Sequence, residues 1–62
     1  MKNATKTYCK RDGEMVWLAR IFDGDEFLKE WAFDSEPDAD GFIKDNGVSP
    51  SCVVERRMNS DG

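Results

Sequence analysis

The densest run of potential ligands in this 62-residue chain is FDSEPDADGFIKDNG, positions 33 to 47, where Asp34, Glu36, Asp38, Asp40 and Asp45 crowd together. Glu36, Asp38 and Asp40 alternate, and Gly41 and Ile43 follow. Carboxylates at every second position before a turn glycine suit a loop that wraps a hard cation such as Ca²⁺. The same residues also describe a short capped helix. Ser35 with Asp38 approximates a capping box, with Asp in place of the usual Glu or Gln. Pro37 suits a first turn, where its missing N–H would be unpaired in any case. Glu36, Asp38 and Asp40 fall where the helix dipole favours negative charge. Ala39, Phe42 and Ile43 share one helical face, and Gly47 after Asn46 stands where a C′ glycine belongs. On this reading, losing the Ser35 cap costs about 1 kcal/mol.

Glu36, Asp38, Asp40, Gly41 and Ile43 match the first, third, fifth, sixth and eighth positions of an EF-hand loop, so residues 36–43 resemble the opening of that motif. The pattern then departs from it. Gly47 occupies the twelfth position, where a bidentate glutamate should sit. Pro37 is awkward in a wrapping loop, and the preceding EFLKEWAF has strand character. The helix is therefore the reading adopted, and no metal or cofactor is expected.

Catalytic equipment is sparse. The chain has no histidine, so neither its serines nor Cys9 and Cys52 have an imidazole base to activate them. RDGE and FDGDEF are turns rather than phosphate-cradling loops. No enzymatic activity is expected. Two cysteines are too few for a disulfide framework, and free thiols in a reducing compartment are the expectation. MKNATKTYCKRDGE lacks the apolar stretch of a signal peptide, and no run approaches the ~20 apolar residues of a membrane span. The expected location is cytoplasmic.

The elements that must position these groups follow from turn signals and periodicity. MVWLARIF, 15 to 22, is an apolar run between RDGE and DGDE. Asp-Gly is a hairpin signal, and it recurs at 12–13 and 23–24. TKTYCK, MVWLARIF and EFLKEWAF thus read as an antiparallel three-stranded meander. The helix follows, and after Pro50 comes SCVVERRM, 51 to 58, a fourth strand with Cys52 and Val54 on one face and Val53 on the other. The expected class is α+β, order β-β-β-α-β, in a single domain over 1–62 with its core at about 5–58 and a frayed tail at 59–62. The face of Phe27, Trp31 and Phe33 is the heavier one and should meet the core. The preferred register sets Trp17, Ala19 and Ile21 beside Trp31 and Phe27.

The formal net charge of −4 conceals a split. Residues 1–20 carry five cations against two acids, whereas residues 21–45 carry nine acids against two cations. Asp34, Glu36, Asp38, Asp40 and Asp45 are candidates for an acidic face, which would be either solvated or an imitation of nucleic-acid phosphates. A sheet followed by a helix over residues 14–46 resembles, in architecture, the arm-binding domains of phage-type integrases, which read DNA with the sheet. The nucleic-acid candidates on that alternative are Lys10 and Arg11 at the first hairpin and Arg20, Lys29, Arg56 and Arg57 on the sheet. Glu26 and Glu30 depart from its basic sheet, and the electrostatic attraction to phosphate would be weak.

One helix covers one sheet face, yet the second strand is apolar on both. Either Val16, Leu18 and Phe22 or Trp17 and Ile21 must therefore be covered by something else: the N-terminal segment, a second copy or a partner protein. These five are the protein-interface candidates. The function expected is a small acidic adaptor or inhibitor that binds protein, of a type common among phage and mobile-element accessory products. A nucleic-acid-binding module is the alternative.

Overall fold

The computed structural model describes residues 1–57, so Met58 and the expected tail at 59–62 lie outside the described residues. The elements are β1 (Lys2–Arg11), β2 (Glu14–Asp23), β3 (Glu26–Phe33), α1 (Glu36–Asp45), a 3-10 turn at Pro50–Cys52 and β4 (Val53–Arg57). This is the β-β-β-α-β order of an α+β domain. The strands form one sheet in the order β3-β2-β1-β4, with β4 parallel to β1 and the other pairs antiparallel. The fourth strand thus joins the edge opposite β3, and α1 belongs to the connection that crosses the sheet. No helix among the described residues is long and apolar enough to cross a membrane.

Both Asp-Gly signals make hairpins, but in different frames. Arg11 pairs with Glu14, so Asp12 and Gly13 are the loop, with φ of +52° and +85°. Positive φ at both central residues is the type I′ turn. Asp23 instead stays in the ladder opposite Glu26, and the loop is Gly24–Asp25 with φ of +62° at Gly24. Glycine at the first central position is the type II′ solution. The start of β1 secures this second turn: the Gly24 N–H donates to the Met1 carbonyl at 2.9 Å, and Asn3 Nδ2 donates to the Gly24 carbonyl at 3.2 Å.

The helix starts and stops near where its residues indicate, by partly different means. Ser35 is extended and its carbonyl accepts from the Ala39 N–H, but its side chain makes no capping bond. The capping-box expectation is corrected accordingly. We predict that Ser35→Ala shifts stability by less than about 0.5 kcal/mol, well below a true cap, as a urea titration would measure. The C-terminus is a Schellman motif. The Val48 N–H donates to Ile43, the Gly47 N–H donates to Lys44, and Gly47 has φ of +78°. Val48 and Ile43, the apolar pair that accompanies such a motif, both lie in the core.

Register determines what α1 covers. Ala4 pairs with Ile21, Lys6 with Ala19 and Tyr8 with Trp17, while Trp17 pairs with Phe33 and Ala19 with Trp31. On this face Ala4, Trp17, Ala19 and Ile21 meet Ala39 and Ile43 of the helix. Three of the six are alanines, which let helix and sheet backbones approach closely. A ten-residue helix is about 15 Å long and about 10 Å across, and strands lie about 4.8 Å apart, so α1 shelters roughly two strands' width. The flanks of the same face stay open.

Three expectations fail against this register. Ile21 pairs with Lys29 but Phe22 pairs with Phe27, so Leu28 is an extra residue that bulges from β3. The bulge moves Phe27 to the opposite face, where its ring meets Phe22 edge-on at 5.8 Å. Trp31 keeps its predicted place beside Ala19 but lies beyond the helix, so of Phe27, Trp31 and Phe33 only Phe33 packs on the core. Finally, the 3-10 turn at Pro50–Cys52 displaces the start of β4, and Cys52 and Val53 both pack against the core while Val54 is exposed.

Candidate interaction surface

The helix-free face of the sheet presents Val16, Leu18, Arg20 and Phe22 from β2, between Thr5, Thr7 and Cys9 of β1 and Phe27, Glu30 and Ala32 of β3. Beyond β1 come Val54 and Arg56 of β4. No helix among the described residues lies over this face; the core cluster with α1 is built entirely on the other side. The five interface candidates therefore separate. Trp17 and Ile21 are buried under α1, and Val16, Leu18 and Phe22 point the other way.

Exposure changes where such a surface lies. Val16 and Leu18 are only 9% and 7% exposed. Leu18 is the floor of a shallow depression walled by Thr7, Cys9, Arg20 and Arg56. The large apolar groups left to solvent are nearer the edges: Phe27 at 50%, Leu28 at 40% and Trp31 at 63% on β3, and Val54 at 51% on β4. Strand β3 has five apolar residues among its eight, yet only Phe33 is shielded. Summing apolar residues along β2 pointed to the sheet centre; the bulge and the narrow helix move the free surface to β3.

The charged candidates do not form single-signed faces. Glu36 and Asp40, one helical turn apart, both reach over the sheet to Lys6, whose Nζ donates to each at 2.8 Å. Glu55 approaches the same ammonium at 3.6 Å from β4. Lys6 is buried at the foot of a half-open groove of about 500 Å³ between α1 and β4, with Ile43, Val48 and Val53 as its apolar walls. Burial opposes its charge, but the hydrogen bonds to Asp40 and Glu36, with their negative charge, outweigh it and raise its pKa above 10.5. The Lys6 ammonium and the Arg57 guanidinium each lie 5.4 Å from the Trp17 ring centroid, and Tyr8 packs on Trp17 at 4.7 Å. Asp34, Asp38 and Asp45 are exposed, with no ion pair among the described residues. In the helix Asp38 points away from Glu36 and Asp40, so the alternating carboxylates do not converge. Among the described residues no group of three His, Cys, Asp or Glu side chains is placed to hold a metal ion.

The cations are equally dispersed. Lys10 and Arg11 lie at the far end of β1, and Arg20 faces Glu30 at 3.5 Å on the helix-free side. Arg56 shares that side, whereas Lys29 and Arg57 are on the helix side, Arg57 donating to Glu55 at 3.1 Å. This bond from Arg57, helped by its charge and that of Lys6, lowers the Glu55 pKa below 4.5. Cys9 and Cys52 are free thiols on opposite sides of the sheet. The Lys6 cluster escaped sequence reasoning because its hydrogen-bonded carboxylates lie 30 and 34 positions away; on β1, Lys6 shares its face with Ala4 and Tyr8 but also with Lys2 and Lys10, so no local signal singled it out. Comparison of the chain with protein-family models, with curated proteins and with solved structures found no match.

Proposed function

We propose that this chain is a non-catalytic protein-binding module, an adaptor or inhibitor, that receives a partner on the helix-free sheet face and its β3 flank. The observation that carries the reading is the exposure of Phe27, Leu28 and Val54, which border that face and add to the partly buried Phe22. Aromatic side chains are enriched at interface cores, and exposed aliphatic side chains beside them add apolar area that a partner removes from water. Arg20, Glu30 and Arg56 supply polar groups among them, as interface rims do. Lys6 and Glu55 are shifted away from neutrality, the opposite of what general acid–base work requires. The scattered cations also favour a protein partner over nucleic acid, whose phosphates reward clustered Lys and Arg.

The test is retention of a specific protein from host extract by the folded chain, compared with Phe27→Asp combined with Val54→Asp. Both sites are about half exposed, so the fold survives. The double variant is expected to bind the retained protein at least about 30-fold more weakly, the equivalent of about 2 kcal/mol. Equal retention by both proteins, or retardation of nucleic acid at low salt with no protein retained, overturns the reading.

A further inference from the structure

Among the described residues the outer edge of β3 has no strand beside it, because the sheet order ends there. An open edge is a template for another strand, and the pattern along this edge selects its occupant. We propose that Lys29–Phe33 pairs antiparallel with the same segment of a second copy, about a twofold axis at Trp31, joining two four-stranded sheets into one of eight strands. This goes beyond partner binding by the sheet face: it uses the edge and leaves Phe22 and Phe27 uncovered.

Three observations converge on that axis. First, the bulge at Leu28 ends the regular edge on one side, and the turn into α1 ends it after Phe33 on the other. The straight segment that remains is Lys29–Phe33, and its midpoint is Trp31. Second, a twofold axis sets residues of one sheet face opposite residues of the same face, so it must pass through a residue position. Centred on Lys29 it would oppose two lysines, and centred on Glu30 two glutamates. Centred on Ala32 it would oppose Glu30 to Asp34 of the second copy. Centred on Trp31 it opposes Trp31 to Trp31, Glu30 to Ala32 and Lys29 to Phe33, with no like charges directly opposite. Lysine on an edge strand ordinarily discourages pairing; here it excludes the register in which it would meet itself. Third, Trp31 is the most exposed aromatic residue of the described chain. On the axis it would stack against its twin, an aromatic cross-strand pair that stabilises a ladder, and Lys29 would reach diagonally over the tryptophan of the second copy. Glu30 already faces Arg20 within its own sheet.

A five-residue ladder with one tryptophan pair is a small interface, so the dimer is expected to dissociate on the order of micromolar concentration. Sedimentation and light scattering of the intact chain over roughly a hundredfold range of concentration should show its mass doubling. Trp31→Glu sets two carboxylates on the axis and should give a monomer throughout, with unchanged far-ultraviolet circular dichroism because the residue is outside the core. The register is read by oxidation in a Cys9→Ala, Cys52→Ala background. Trp31→Cys should form a linked dimer. Lys29→Cys should not, because its counterpart would lie about 13 Å further along the strand, beyond disulfide reach. A wild-type monomer at every concentration, a dimer that survives Trp31→Glu, or linkage through Lys29→Cys as efficient as through Trp31→Cys overturns the proposal. Each of these outcomes leaves the double substitution on the sheet face as a separate test of partner binding.

Discussion

Ile21→Ala is expected to unfold a large fraction of the chain under native conditions. Ile21 is the largest side chain with no solvent exposure, and it sits where β1, β2 and the helix meet. Truncating a buried isoleucine costs about 2–5 kcal/mol, through lost transfer energy and the cavity left behind. A domain of this size has only about 3–9 kcal/mol to lose, at the usual 0.05–0.15 kcal/mol per residue. The alanines around the site make matters worse, since Ala4, Ala19 and Ala39 have no side-chain length with which to fill the void. Urea titration followed by tryptophan fluorescence checks the effect: the midpoint should fall by half or more. A fall in midpoint of less than a fifth would mean that the helix does not rest on Ile21.

The second large effect is expected at Lys6. Replacing it with methionine keeps the aliphatic stem but leaves Glu36 and Asp40 facing each other without a cation, beside a Glu55 that retains only Arg57. Removing one member of a fully buried ion cluster costs about 3–5 kcal/mol. Here the carboxylate side chains are 38%, 54% and 43% exposed, so water screens much of the repulsion. A loss of about 1–3 kcal/mol is the appropriate expectation once that screening is included. Adding Glu36→Gln and Asp40→Asn to Lys6→Met should recover most of it, because the repulsion is then gone. The same cluster sets an alkaline limit. Because the folded pKa of Lys6 is raised, its contribution is complete below the unfolded pKa of about 10.4 and is lost as pH climbs through the higher folded value. Wild-type stability should therefore fall above about pH 10.5 more steeply than that of Lys6→Met. Glu55 acts with the opposite sign: with its folded pKa lowered, its contribution is present above pH 4.5 and fades as acid takes the pH through the lowered value.

Local signals were legible in the chain wherever chemistry and conformation lie within a few residues. Asp12-Gly13 and Asp23-Gly24 marked both hairpins, although the dipeptide does not say which residue begins the loop. Pro37 and Gly47 bracketed the helix. The apolar alternation of β2 placed Trp17, Ala19 and Ile21 on one face, and that is the face α1 covers. Counting by twos along β3 failed at Leu28, because one bulged residue inverts everything on its far side. The Ser35 hydroxyl had the right position for a cap and is not used as one, since capping depends on a side-chain rotamer that spacing does not specify.

The order of strands, helix and turns was thus determined by the sequence itself, because each depends on the torsional preferences and hydrophobic period of neighbouring residues. Only the tertiary structure decided that β4 lies beside β1, that Lys6 gathers three carboxylates, and that Phe27, Leu28 and Trp31 remain exposed. These outcomes depend on contacts between residues far apart in the chain and on the width of one short helix relative to four strands. Neither quantity is carried by any local stretch of residues.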